Sequence, residues 1–143
     1  MKITKIRKAN KNDINKIREI ANVPGLQIAG EERAPSKKWY SSFIKEKQML
    51  YVAEDREEII GFLTGEKVRD MGLLWEIGVK PEFRSKGIGS ILLKKFKEEC
   101  NKKKLRFIVA YGYLNKKTLD FFKHNNFIEG GTYKELRLDL KNY

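Results

Sequence analysis

The sequence predicts an α/β protein of the α+β type, with a mixed, mostly antiparallel central sheet and helices on both of its faces. Two observations carry this. Apolar residues recur now at helical and now at strand spacing along the whole chain, and the strand-to-helix junction over residues 79–91 is rich in glycine and positive charge. With 143 residues, 41% of them apolar, the chain is expected to form a single domain over residues 1–143 with its own core.

The elements follow in order. Ile3 and Ile6 flank a first strand; Asn12 or Asp13 then caps a helix with Ile14, Ile17 and Ile20 on one face, ending near Pro24 and Gly25. Residues 23–33 read as a connection. Residues 34–47, with Trp39, Tyr40, Phe43 and Ile44, suit a short amphipathic helix. Residues 48–68 form a hairpin about the charged turn 55–58, and Leu73 to Val79 a third extended segment stopped by Pro81. Ile88, Ile91, Leu92 and Phe96 mark a helix reaching about Lys102, and Leu105 to Tyr111 is apolar enough for a buried strand. Asn115 caps a last helix with Leu119, Phe121 and Phe122, and a pair of strands from Phe127 onward, bent at Gly130 and Gly131, closes the chain. The total is about six to seven strands and about four helices.

Lys and Arg outnumber Asp and Glu by 31 to 19, a net charge of +12. That suits nucleic acid, an acidic protein surface or a cofactor carrying several phosphates. Lysines do not interleave with stacking aromatics in a repeated pattern, so dedicated nucleic-acid binding is not expected. The lone Cys100 forms no intrachain disulfide and no cysteine cluster, so no metal is expected and a reducing compartment is. Without an apolar leader or a membrane-length apolar run, the chain is expected to be cytoplasmic and to have no membrane partner. Its oligomeric state is open between monomer and homodimer.

The chemistry concentrates at residues 79–91, VKPEFRSKGIGSI. A strand ends, a loop carries Arg84, Ser85, Lys86, Gly87, Ile88 and Gly89, and a helix begins beside Ser90. The first amides of a helix lack intrahelical acceptors and sit at the positive end of its dipole, so such a junction can receive a pyrophosphate; the alternative is an ordinary strand-to-helix turn. A dinucleotide fingerprint would need a third glycine, and a nucleotide-triphosphatase loop would need a Gly-Lys-Ser/Thr ending; neither is present.

These residues resemble the GNAT N-acetyltransferases, whose cofactor motif is Arg or Gln, two residues, Gly, any residue, then Gly or Ala. Arg84, Gly87 and Gly89 match it, and the lead-in Val79, Pro81, Glu82, Phe83 and a second motif from Asn115 through Phe121, Phe122 and Phe127 are also similar. The resemblance covers essentially the whole chain. It implies a sheet splayed at its centre, where the strands ending at Val79 and Tyr111 part and acetyl-coenzyme A lies between them. It also implies that the backbone of Ile77 and Val79 pairs with the pantetheine arm. Arg84, Ser85, Lys86, Gly87, Ile88, Gly89 and Ser90 would hold the pyrophosphate, and Asn115 and Phe122 would contact the cofactor.

Transfer to an amine needs a base for the ammonium, a donor to the thioester carbonyl and release of a thiolate. The resemblance suggests the Val79 amide as the donor. Glu76, near the end of a strand and among apolar neighbours, is the candidate base, acting through a water; the alternative is a structural ion pair with a nearby Lys. The position at which some members carry a base is Ala110 here, Phe122 stands where many have a thiolate-protonating tyrosine, and Asn126 stands where glycine is usual. Tyr111 or Tyr113 could replace that tyrosine. His124 reads as an exposed helix residue and Cys100 as a packed or half-exposed one. The expected function is acetyl transfer from acetyl-coenzyme A to a primary amine, a small amine or a protein N-terminus or lysine, with Glu31, Glu32, Asp70 and Glu76 as the few acidic candidates near an acceptor. The alternative is a catalytically weak acetyl-coenzyme A sensor or scaffold.

Overall fold

The computed structural model describes residues 5–22, 34–112 and 114–140. Ile3, the expected helix end at Pro24 and Gly25, the connection 23–33 with Glu31 and Glu32, and Tyr113 lie outside the described residues. Two compact units are present, Met1–Tyr111 and Gly112–Tyr143.

The first unit holds β1 (Lys5–Lys8), α1 (Ile14–Ala21), α2 (Lys37–Lys45), β2 (Met49–Asp55), β3 (Glu58–Val68), β4 (Met71–Val79), α3 (Ile88–Lys102) and β5 (Phe107–Ala110). The sheet order is β1-β2-β3-β4-β5, antiparallel throughout except for the parallel β4–β5 pair, to which α3 is the crossover. The β2–β3 hairpin closes tightly because Arg56 and Glu57 take φ of 52° and 65°, the left-handed pair whose twist suits a two-residue turn.

Helices α1 and α2 cover one face of the sheet. Ile14, Ile17 and Ile20 recur at helical spacing and pack with Tyr40 and Phe43 of α2 onto Leu50, Val52 and Phe62. Full burial of an Ile or Phe contributes about 1.5–3 kcal/mol, so this cluster outweighs the weak helix preference of α1's β-branched residues. Asp13 stands at the N-cap position of α1, as expected, but its side chain makes no cap there; the capping side chain is that of Asn10, at the start of a 3₁₀ turn over Lys11–Asp13 that leads into α1. Asp13 is spent differently: Oδ2 accepts from the Asn10 amide at 2.7 Å and both oxygens take Arg7, at 2.7 and 2.9 Å. Burial alone would raise the Asp13 carboxyl, but Arg7 and the Asn10 amide hold it below the usual range.

Helix α3 covers the opposite face with Leu92, Leu93 and Phe96, all fully buried. Gly65 of β3 permits this close packing, because a Cβ there would stand 2.8 Å from Phe96 Cζ. Strand β5 is a correction: it was expected to be buried, yet Phe107 is 46% exposed and Ile108 to Ala110 are half-buried. It ends the described sheet, so only one of its edges is paired.

The second unit contains α4 (Lys116–His124), capped as expected by Asn115, whose Oδ1 accepts from the Thr118 amide at 2.8 Å. The strand pair expected after Phe127 is not formed among the described residues, so the described sheet has five strands rather than six to seven. Alternation marks a face, but a strand also needs a ladder partner. Here the first amides are spent on closing α4, Asn126 N to Lys123 O at 3.0 Å and Phe127 N to Phe122 O at 2.9 Å, while Leu136, Leu138 and Leu140 are exposed. Asn126 takes φ 69° in that closure, a left-handed position that asparagine tolerates where glycine is usual.

Gly65→Ala should lower stability by about 1–3 kcal/mol, because the added methyl must displace the Phe96 ring. Denaturant unfolding measures it; an unchanged midpoint would contradict the packing described.

Candidate active site

Strand β4 is irregular at one point. Thr64 pairs with Glu76 but Gly65 pairs with Leu74, so Trp75 is an extra residue in β4, a β-bulge. In an unbroken strand Glu76 would share a face with Leu74, which lies opposite Gly65 on the α3 side. The extra residue turns Glu76 to the α2 side instead. There Tyr40 donates to Glu76 Oε1 at 2.8 Å and Thr64 donates to the same oxygen at 3.3 Å. Trp75 lies on this side as well, its ring 6.2 Å from that of Trp39 and its Nε1 donating to Glu66 at 2.7 Å.

Glu76 is 4% exposed and Oε2 has no partner among the described residues. Burial pushes the carboxyl up from its ordinary 4.5 to about 7, against the smaller downward pull of the Tyr40 and Thr64 hydrogen bonds. A carboxylate so placed is poised to take a proton near neutral pH. The expected alternative, an ion pair with lysine, is not what holds it. Asp70, the other acidic candidate described, is exposed and bound to Arg106 at 3.0 Å.

The bulge coincides with the parting of two strands. Pairing of β4 with β5 stops at Leu74 and Ala110, while β4 runs on to Val79. Lys80 N donates to Ile60 O at 2.8 Å, so by alternation the amides of Ile77 and Val79 point away from β3. That edge faces no described strand. Arg84 Nε donates to Val79 O at 3.0 Å and so folds the next loop back onto the strand end.

That loop is basic and open. Arg84, Ser85, Lys86 and Gly87 are exposed, Gly87 at φ 82° precedes Ile88 at the start of α3, and a Cβ on Gly87 would meet open space. Gly89 and Ser90 continue the first turn of this 15-residue helix. The N-terminal end of a 15-residue helix, two flanking cations and an unobstructed approach at Gly87 make this an electropositive junction of the kind that receives anions. Lys86 lies over the Phe83 ring at 5.5 Å, which holds its charge at the loop.

In the second unit, Asn115 is exposed and Phe122 packs its ring on Phe121 and Phe127 at 5.3 and 5.1 Å. Phe122 has no proton to donate. Tyr111, expected in a buried strand, is instead 71% exposed, because the strand ends at Ala110; His124 is exposed, as expected; Cys100 is buried, and burial pushes its thiol up to about 11, which removes it as a nucleophile. No three His, Cys, Asp or Glu side chains cluster among the described residues. No described helix is long and apolar enough to cross a membrane.

Residues 14–127 match the family model of the acetyltransferase (GNAT) family. No curated protein sequence matches the chain. Among solved structures, an N-acetyltransferase from Staphylococcus aureus Mu50 is similar, 24% identical over 91% of this chain and 86% of its own, with a TM-score of 0.77. The ribosomal-protein-S18-alanine N-acetyltransferase of Escherichia coli is 18% identical over 90% and 80%, with a TM-score of 0.74. The PaiA N-acetyltransferase of Thermoplasma acidophilum, solved with coenzyme A, is 21% identical over 87% and 89%, with a TM-score of 0.68. The chain belongs to the GNAT acetyltransferase family. It is therefore an acyltransferase, and acetyl-coenzyme A is its acetyl donor.

The sequence singles out Glu76 as an acid among apolar neighbours but gives no sign of Tyr40 and Thr64 as its partners. Tyr40 is 36 positions from Glu76, and no local pattern connects them. Because the folded chain holds the Glu76 proton to higher pH than the unfolded one, stability should fall as pH rises from about 4.5 to about 7. Relative to Glu76→Gln, the native chain should lose roughly 3 kcal/mol over that window. Chemical denaturation at both ends measures the difference; parallel pH profiles would contradict the burial of an ionisable carboxyl.

Proposed function

We propose that this acetyltransferase passes the acetyl group directly to a primary amine, a small amine or a protein N-terminus or lysine, with Glu76 as the general base. The observation that carries the reading is the bulge-directed burial of Glu76, which leaves Oε2 without a partner and the carboxyl poised near pH 7. An amine attacks only when neutral, and a base of this strength removes its proton through a water at physiological pH.

The remaining roles belong to the same proposal. Amides of the first turn of α3, with Arg84, Ser85, Lys86 and Gly87, hold the pyrophosphate. The outward backbone of Ile77 and Val79 pairs with the pantetheine arm, and the Val79 N–H polarises the thioester carbonyl, a donor of the kind typically worth about 10²–10³ in rate. The acceptor approaches from the α2 face, because Glu76 is there while α3 occupies the other face. The departing thiolate needs no acid from Phe122, since a thiol of pKa about 8.5 is a workable leaving group unprotonated. The neighbours named for ribosomal-protein alanine and for aminoglycosides support an amine acceptor. The net charge of +12 favours the donor's phosphates, and the lone Cys100 suits a reducing, cytoplasmic compartment.

Thiol release from acetyl-coenzyme A, assayed with an alanine-led peptide, a polyamine and an aminoglycoside, tests this. At least one amine should be acetylated, and Glu76→Gln should lower kcat/KM by about 10²-fold or more while leaving coenzyme A affinity in place. Turnover of none of the three, or an unimpaired Glu76→Gln variant, would overturn the proposal.

A further inference from the structure

We infer that Tyr40 and Thr64 are positioning residues that select which oxygen of the Glu76 carboxylate handles the proton: their hydroxyls hold Oε1, and Oε2 receives it. This rests on the reading of Glu76 as the base. The three groups come from three elements, Tyr40 from α2, Thr64 from β3 and Glu76 from β4 just past the bulge. Both hydroxyls converge on one oxygen, at 2.8 and 3.3 Å, and Tyr40 and Thr64 are each fully buried.

A carboxylate's terminal torsion is broad and nearly two-fold, so the backbone alone does not choose between the oxygens. Two donors on Oε1 do choose. They satisfy Oε1, making it the less basic oxygen, and they direct the incoming proton to Oε2. Once that proton has arrived, Oε1 is a carbonyl that still accepts from both hydroxyls. No donor needs to turn when the base changes state, so the proton is exchanged without rearrangement of the buried cluster.

The neighbouring charges leave this arrangement alone. Burial and the Glu76 carboxylate push the Tyr40 phenol well above its ordinary 10.0, so it remains a donor throughout the working range. Arg18, on α1, acts on Tyr40, in the opposite direction, and Glu66, on β3, is engaged by Trp75 Nε1. The Glu76 carboxyl itself is shifted by burial, Tyr40 and Thr64, with no charged partner among its causes. Tyr40→Phe keeps the ring that packs on Trp39 and Phe62, at 5.1 and 6.2 Å, and removes only the donor.

Infrared difference spectroscopy during a pH titration reads the carbonyl stretch of the protonated carboxyl, identified by its loss in Glu76→Gln. Tyr40→Phe should move that band to higher frequency and raise the titration midpoint by about one unit. Thr64→Val should do the same to a smaller degree, and Thr64→Ser, which keeps the hydroxyl, should restore both values. A band and midpoint unmoved in Tyr40→Phe and Thr64→Val alike, with both variants folded, would overturn the assignment even if Glu76→Gln is inactive. Thiol release that survives Glu76→Gln would overturn the underlying base reading instead, whatever the band does.

Discussion

The extra residue at Trp75 is the constraint on which the site depends. Strand side chains alternate with a period of two, so one added residue reverses the facing of all that follows it. In β4 it separates Leu74, packed toward α3, from Glu76, held toward α2. The same point marks the end of β4–β5 pairing, where Leu74 lies opposite Ala110, the last residue of β5. A carboxylate is expensive to bury, and here two hydroxyls on one oxygen offset only part of that cost. The remainder is the raised proton affinity of the group, on which the proposed role as base rests.

The two faces of the sheet then take different tasks. On one, α3 begins at Gly87 between two cations, Arg84 and Lys86, where the proposal seats the polyphosphate. On the other, α1 and α2 bring Tyr40 onto Glu76. The strand between them offers its outward amides beyond Leu74, where no described strand competes for them. A basic surface of net charge +12 adds long-range attraction for a donor carrying several negative charges.

Much of this was legible in the sequence. The end of α3 near Lys102 follows from the apolar spacing of Ile88, Ile91, Leu92 and Phe96, although α3 starts at Ile88 rather than beside Ser90, and the hairpin follows from two strand-like runs about a charged turn. Asn115 could be read as a cap because its side chain acts within its own turn. What escaped was non-local or unpatterned. The bulge leaves no trace in LLWEIGV, which alternates as well without it, and Tyr40 reaches Glu76 only through tertiary packing. The final strands were overread for the converse reason: YKELRLDL has the alternation of a strand, but alternation says nothing about whether a ladder partner is present.

The most direct test is a crystal structure of the protein bound to a thioether analogue of acetyl-coenzyme A that cannot transfer its acyl group. The expected complex has the analogue's carbonyl oxygen about 3 Å from the Val79 amide nitrogen, with its phosphates at residues 84–90 and Glu76 Oε2 turned toward the acyl carbon from the α2 side. An analogue bound elsewhere, or a Val79 amide already paired with a neighbouring strand, would contradict it.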